Sequence, residues 1–168
     1  MSQPESHLEK DSDSHIKAYR IVKSKWAESA FDGEGAKRYG GRWNSKGIAC
    51  VYLADSIALA MLEILVHIER KSLLKDYLLF ELKLPINQIQ QLDQSVLPSN
   101  WDSDPAPEET AVIGDQWLRA SDKLGLMLPS TIVPMENNYL INHQHKDFTK
   151  IVQNSKPIPF EFDGWLNG

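Results

Sequence analysis

Apolar and polar residues change period several times along the chain, and each change marks an element. Alternation over Ala18 to Lys23 (AYRIVK), with Tyr, Ile and Val, predicts a first strand. Ile48 to Leu53 (IACVYL) is a short apolar run that reads as a buried strand. Asp55 or Ser56 is placed to cap a helix running to about Arg70. Ile57, Met61, Ile64 and Ile68 follow one helical face, while Leu59, Leu62, Leu65 and Val66 fall elsewhere on the wheel, so the helix is expected to be buried on most sides. Tyr77 to Leu84 is a strand stopped by Pro85, and residues 86–92 suit another. Residues 94–109, with three prolines and four acids, read as an exposed connection. A helix over 111–123 follows, with Trp117 and Leu118 inward. Then come a strand over Met127 to Val133 interrupted by Pro129, an extended segment Tyr139 to Ile141, a short helix around His145–Val152 and a last strand Ile158–Phe162. Strands and helices do not alternate strictly, which predicts an α+β fold.

Residues 24–47 break the periodicity. They hold five of the nine glycines, which predicts a long shaped loop of the kind that carries function. Residues 1–15 lack periodicity and are polar and acidic, the pattern of a disordered tail, which leaves 16–168 as one domain. That tail has no apolar h-region, and no apolar run approaches the roughly 20 residues of a membrane span, so a cytoplasmic protein is expected. Cys50 is the single cysteine, which excludes an internal disulfide and a Cys-rich zinc cluster.

The net charge of -5 argues against a protein that binds nucleic acid directly. Its distribution is uneven: residues 1–15 carry -3, residues 16–50 carry +5 and residues 51–168 carry -7. A basic stretch inside an acidic chain points to a local anion site.

The most informative run is Tyr39-Gly40-Gly41-Arg42-Trp43-Asn44. Two glycines bare the backbone beside a guanidinium whose planar fork matches phosphate oxygens. Arg42 therefore reads either as an anion clamp, suited to a dinucleotide pyrophosphate, or as a surface arginine on a Gly-Gly turn. Glu63 is a carboxylate on an otherwise apolar helix, and needs either a partner (His67 or Arg70 on the same strip) or a chemical role. Tyr52, at the end of a strand, can stack on a ring-shaped ligand or simply fill the core. Ser130 and Asn142 stand beside apolar runs, where they can face a site or close turns. His143 and His145 have no carboxylate or cysteine to complete a metal set, so no metal site is expected. Cys50 reads as an inert core thiol.

Together these runs resemble the RES domain family. The matching pieces are Tyr19-Arg20, Gly40-Gly41-Arg42-Trp43-Asn44, Tyr52 ten residues after Arg42, and Glu63 eleven residues further. Gly114-Asp115-Gln116-Trp117-Leu118, Leu128-Pro129-Ser130, the run Asn137 to Asn142 and Phe160-Glu161-Phe162-Asp163 complete the pattern, from about residue 18 to 166. Two positions depart from it: His143 stands where the family often has proline, and Gly164-Trp165 where it often has an arginine. The resemblance implies a single domain similar to diphtheria-toxin-like ADP-ribosyltransferases. It also implies the toxin of a bacterial type II toxin–antitoxin module that uses NAD+ as a substrate rather than a resident cofactor. The implied partner is an Xre-type helix-turn-helix antitoxin that occludes the active site, with a homodimer or a larger toxin–antitoxin assembly left open. By that resemblance Glu63, Arg42 and Tyr52 are catalytic. Arg20, Arg42, Tyr52, Ser130 and Asn142 bind NAD+.

The reaction implied is cleavage of the nicotinamide–ribose bond, with water or phosphate as acceptor. Transfer of ADP-ribose to a protein is the alternative. A silent binding module, in which Arg42 and Glu63 only pair, is the alternative of another class.

Overall fold

A computed structural model describes residues 14–70 and 73–167. Its strands are β1 (His15–Lys23), β2 (Val51–Ala54), β3 (Tyr77–Pro85), β4 (Ile89–Gln91), β5 (Gly125–Pro129), β6 (Asn137–Ile141) and β7 (Ile158–Phe160). They form one sheet in the order β4-β5-β6-β2-β1-β3-β7. All pairings are antiparallel except β4 with β5. The helices are α1 (Glu34–Tyr39), α2 (Ile57–His67), α3 (Glu108–Ala120), α4 (Phe148–Gln153) and α5 (Gly164–Asn167). This is an α+β domain, as the sequence predicts.

Alternation along β2 assigns the layers. Val51 and Leu53 join a core cluster that contains Phe80, Leu82 and Ile141 and is covered by Phe148 of α4. Ala54 and Tyr52 turn to the opposite face. There Ala54 packs with Leu59 and Ala60 of α2, and Tyr52 packs beside Trp43, Cys50 and Trp117 of α3. The sheet is thus covered by α4 on one side and by α2 and α3 on the other.

Several boundaries differ from the sequence reading, each for a local reason. The first strand begins at His15, inside the predicted tail; the rest of that tail, residues 1–13, lies outside the described residues. The glycine-rich loop contains a 3-10 turn over Ser24–Ser29 and the short helix α1, which follows Gly33 at φ 74°. α2 is capped by Ser56, whose Oγ accepts from Leu59 N at 3.0 Å, and it stops at His67, short of Arg70. It is less enclosed than its composition predicts: Leu59 and Ala60 are buried, whereas Leu62 and Val66 are exposed. The segment 86–92 begins with a 3-10 turn and is a strand only over Ile89–Gln91. β5 ends at Pro129 because the Ser130 hydroxyl accepts from Ile132 N and Val133 N, both at 3.1 Å, and turns the chain. The connection 94–109 is not simply exposed, since Leu97 and Trp101 pack against the Trp43 cluster. No helix among the described residues is long and apolar enough to cross a membrane.

Candidate active site

β1 pairs with β3 along its whole length but meets β2 only at Tyr19 and Ala54. Beyond that pair the two strands separate, and the Arg20 guanidinium occupies the opening. Its Nη1 donates to Tyr52 O at 2.9 Å, where a strand neighbour would otherwise donate. Its Nε is enclosed and has no hydrogen-bond partner among the described residues. Burial lowers the Arg20 pKa, opposed by the acidic groups of Cys50, Asp32 and Glu63 nearby. A buried cationic N–H without an acceptor is a position for an anionic ligand.

The Gly40–Asn44 run is folded against the Tyr52 ring. Gly41 N donates to Asn44 O at 3.0 Å, closing the turn. The Tyr52 hydroxyl donates to Asn44 Oδ1 at 2.6 Å and accepts from Trp43 N at 3.2 Å. A Cβ on Gly41 would stand 2.8 Å from the Tyr52 hydroxyl, so only glycine allows this approach. Burial, together with nearby Cys50, pushes the Tyr52 hydroxyl well above its ordinary pKa and keeps it a neutral donor. The Cys50 thiol is itself pushed up to about 12, chiefly by burial, which fits an inert core thiol.

Helix α3 holds the other side of this loop. Thr110 Oγ1 donates to Arg42 O at 2.7 Å, and Asp115 accepts from Ser45 N at 2.9 Å. Gly114 lies so close that a Cβ would stand 1.7 Å from Trp43 O. The Gly114-Asp115 pair of the sequence pattern therefore serves to seat the Gly-Gly-Arg-Trp-Asn loop.

Glu63 projects from α2 and accepts from Asn138 Nδ2 at 2.6 Å. Asn138 lies opposite Ala54 on β6, and its Nδ2 also reaches Leu53 O at 3.4 Å. Burial raises the Glu63 pKa, while Asn138, His67 and Arg20 pull it back. The ion pair with His67 or Arg70 that the helical wheel allows does not form among the described residues. Asn138 takes that place instead. Sequence reasoning missed Asn138, although the alternation of Asn138, Leu140 and Asn142 along one strand puts it on the same face as Asn142.

Arg20 thus binds the Tyr52 carbonyl where β1 and β2 part, and Glu63 lies near enough to favour its charge, while the Tyr52 ring faces the Gly40–Asn44 run. Arg42 lies beyond Tyr52, with Nη1 donating to Trp101 O at 2.7 Å and Ser103 O at 2.9 Å. Its remaining N–H groups are the ones left for an anion. Ser130 is buried beside the start of β6 and spends its hydroxyl on its own turn. Ser130 N donates to Glu136 O at 3.1 Å, and the Glu136 carboxylate accepts from the Ser56 hydroxyl at the start of α2, the helix that bears Glu63. Asn142 stands at the far end of β6, where its Oδ1 accepts from Gln144 N at 3.1 Å, four residues along the strand from Asn138. The structure does not bring Asn142 to the Arg20–Glu63 group.

A carboxylate and a buried guanidinium side by side, with a neutral tyrosine on the adjoining loop, can hold a diphosphate at one end and stabilise a developing cation at the other. The RES domain model matches residues 17–163. A protein of Yersinia enterocolitica named Toxin Res is 48% identical over 145 residues, covering 86% of this chain and 95% of that protein. A protein of a Sphingobium strain named Prs ADP-ribosylating toxin is 41% identical over 118 residues, covering 68% of this chain and 73% of that one. Among solved structures, the M. tuberculosis MbcT–MbcA toxin–antitoxin complex contains a chain that superimposes with a TM-score of 0.65 at 17% identity, covering 92% of this chain and 87% of that chain. The family model covers nearly the whole domain, and the chain belongs to the RES domain family.

Proposed function

We propose that this protein is the toxin of a toxin–antitoxin pair and that it breaks the nicotinamide–ribose bond of NAD+. The observation that carries the reading is the convergence of Glu63 with the partner-free Nε of Arg20 in the opening between β1 and β2. Arg20, with the free N–H groups of Arg42, holds the pyrophosphate. The Tyr52 ring supports the nicotinamide. The C1′–N bond breaks with its electron pair leaving on the nicotinamide nitrogen, so the leaving group departs neutral and needs no acid. Glu63 stabilises the oxocarbenium-like ribose that remains. Water or inorganic phosphate then bonds to C1′, and water gives up its proton to solvent. The relatives named Toxin Res support the toxin role. The antitoxin partner is supported by the fold shared with a chain crystallised in a toxin–antitoxin complex.

Purified protein is expected to consume NAD+ and release nicotinamide, with product analysis in the presence and absence of phosphate identifying the acceptor. If Glu63→Gln consumes NAD+ as fast as the parent, the assignment of Glu63 is wrong. The second reading, transfer of ADP-ribose to a protein, is favoured by the Sphingobium relative. Labelled NAD+ separates the two: free ADP-ribose or its phosphate marks cleavage, and a labelled macromolecule marks transfer.

A further inference from the structure

β7 pairs with β3 only at Tyr77, Leu78 and Leu79. The chain leading into β7 then peels away and leaves a cleft of about 690 Å³, lined on one side by Glu81, Lys83 and Pro85 and on the other by Lys150, Ser155 and Lys156. The register shows what faces it. Ser24 N bonds to Asp76 O and Ile86 N to Ser14 O, so the even-numbered residues of β3 hydrogen-bond to β1. The odd-numbered ones face the other edge, where Tyr77 and Leu79 meet β7 and Glu81 and Lys83 meet no strand among the described residues. Their N–H and C=O groups form an open strand edge in the lane that β7 vacates. The charge of the cleft is also unmatched. Glu81 is engaged by Lys17 at 3.7 Å, whereas Lys83, Lys150 and Lys156 pair with no acid among the described residues; Asp147 offsets one of the three. The Ser155 hydroxyl is enclosed there without a partner among the described residues.

We propose that this cleft receives an acidic, extended peptide of a partner protein as an added strand on β3. Open main-chain donors and acceptors ask for a peptide rather than a small anion, which would leave the carbonyls unmet. Uncompensated lysines select acidic side chains at alternate positions. The stretch 80–85 accommodates about five residues of added strand. The cleft is separate from the Arg20–Glu63 opening, so the proposal stands independently of the NAD+ reading.

The test uses the full chain and a labelled peptide, acetyl-Thr-Glu-Val-Glu-Val-Glu-Thr-amide, followed by fluorescence anisotropy and by hydrogen exchange at Glu81 and Lys83. The acidic peptide is expected to bind and protect those two amides, and its Glu-to-Lys counterpart to fail. The exposed double variant Lys83→Glu/Lys150→Glu should weaken binding roughly tenfold or more while NAD+ consumption stays unchanged. Glu63→Gln should bind like the parent. Equal binding by a peptide N-methylated on the edge facing β3, or full displacement by millimolar inorganic phosphate, would reduce the cleft to an anion site and overturn the proposal. Binding that emerges only when Glu5, Glu9, Asp11 and Asp13 are all replaced by Ser would assign the cleft to this chain's own N-terminal segment, and would also overturn it.

Discussion

Asn138 Nδ2 donates to Glu63 Oε1 at 2.6 Å, joining β6 to the helix that carries the carboxylate. Burial favours the protonated acid, and this bond is the largest influence in the other direction. Asn138 thus acts through Glu63, as a positioning residue. Asn138→Ala is expected to lower kcat by up to about 100-fold, the cost of a misplaced group, with a smaller change in KM. Loss of the donor raises the Glu63 pKa further, so the acidic limb of the kcat profile should move to higher pH. A variant whose activity falls at all pH values with an unmoved limb would assign Asn138 a purely structural role. Asn138→Asp should be worse still, because two carboxylates would then share the site.

Much of this site was legible in the sequence. Gly41, Arg42 and Asn44 stand next to one another in the chain, and Tyr52 and Glu63 follow within one strand and one helix, so short-range pattern was enough to single them out. What escaped were pairings set by the sheet. Asn138 and Asn142 share a strand face and flank the same apolar run, and only the β2–β6 register, with Ala54 opposite Asn138, shows which of them reaches Glu63. The Arg42 contacts with Trp101 and Ser103 cross about sixty residues of chain and leave no local signature. Strand ends were misplaced where a side chain turned the backbone, as Ser130 does after Pro129.

Glu63 is expected to weaken the fold it serves. Its pKa is raised in the native state, chiefly by burial, so the folded protein holds the proton more tightly than the unfolded chain does. Ionisation therefore costs stability as pH rises from the unfolded value, about 4.3, through the higher native one. Glu63→Gln keeps the Oε1 acceptor for Asn138 and removes that cost. The variant should match the parent in Tm at pH below about 4 and melt higher at neutral pH, while losing NAD+ consumption. A lower Tm for the variant at pH 7 would contradict the burial argument.

The Tyr52 hydroxyl and ring are separable. Tyr52→Phe keeps the ring proposed to support the nicotinamide and removes the bonds to Asn44 and Trp43. Leaving Trp43 N and Asn44 Oδ1 without this partner should cost about 1–3 kcal/mol, seen as a lower denaturation midpoint at unchanged m-value. Tyr52→Ala removes the ring as well, and should raise KM for NAD+ beyond the change in the Phe variant. Equal KM values for the two would remove the ring from the binding site.

Gly114 offers a test of the way α3 seats the loop. Gly114→Ala places a Cβ where Trp43 O already sits, at 1.7 Å, in contact with backbone rather than with a side chain that could swing away. Helix propensity alone would make this substitution stabilising by about 1 kcal/mol. Overpacking should reverse the sign and cost about 3 kcal/mol or more. Gly35→Ala in α1, where an added Cβ meets nothing within 4 Å, is the matched control: it should keep the propensity gain and melt no lower than the parent.

Arg42 has two tasks that a single substitution can divide. Nη1 holds the carbonyls of Trp101 and Ser103, which straps residues 98–106 across the Trp43 side of the motif, where Trp43 and Trp101 lie with ring centroids 6.3 Å apart. Arg42→Ala releases both carbonyls. Charge-assisted bonds of this kind contribute about 1.5–3 kcal/mol each, and every 1.4 kcal/mol is tenfold in an equilibrium, so limited proteolysis within 98–106 should accelerate at least tenfold. Arg42→Lys restores a cation but not the planar fork. It can bond a carbonyl, so strap protection should recover in part, while KM for NAD+ should stay raised if, as proposed, Arg42 grips the diphosphate through its planar fork. Full recovery of KM in the Lys variant would show that Arg42 supplies only charge to the ligand.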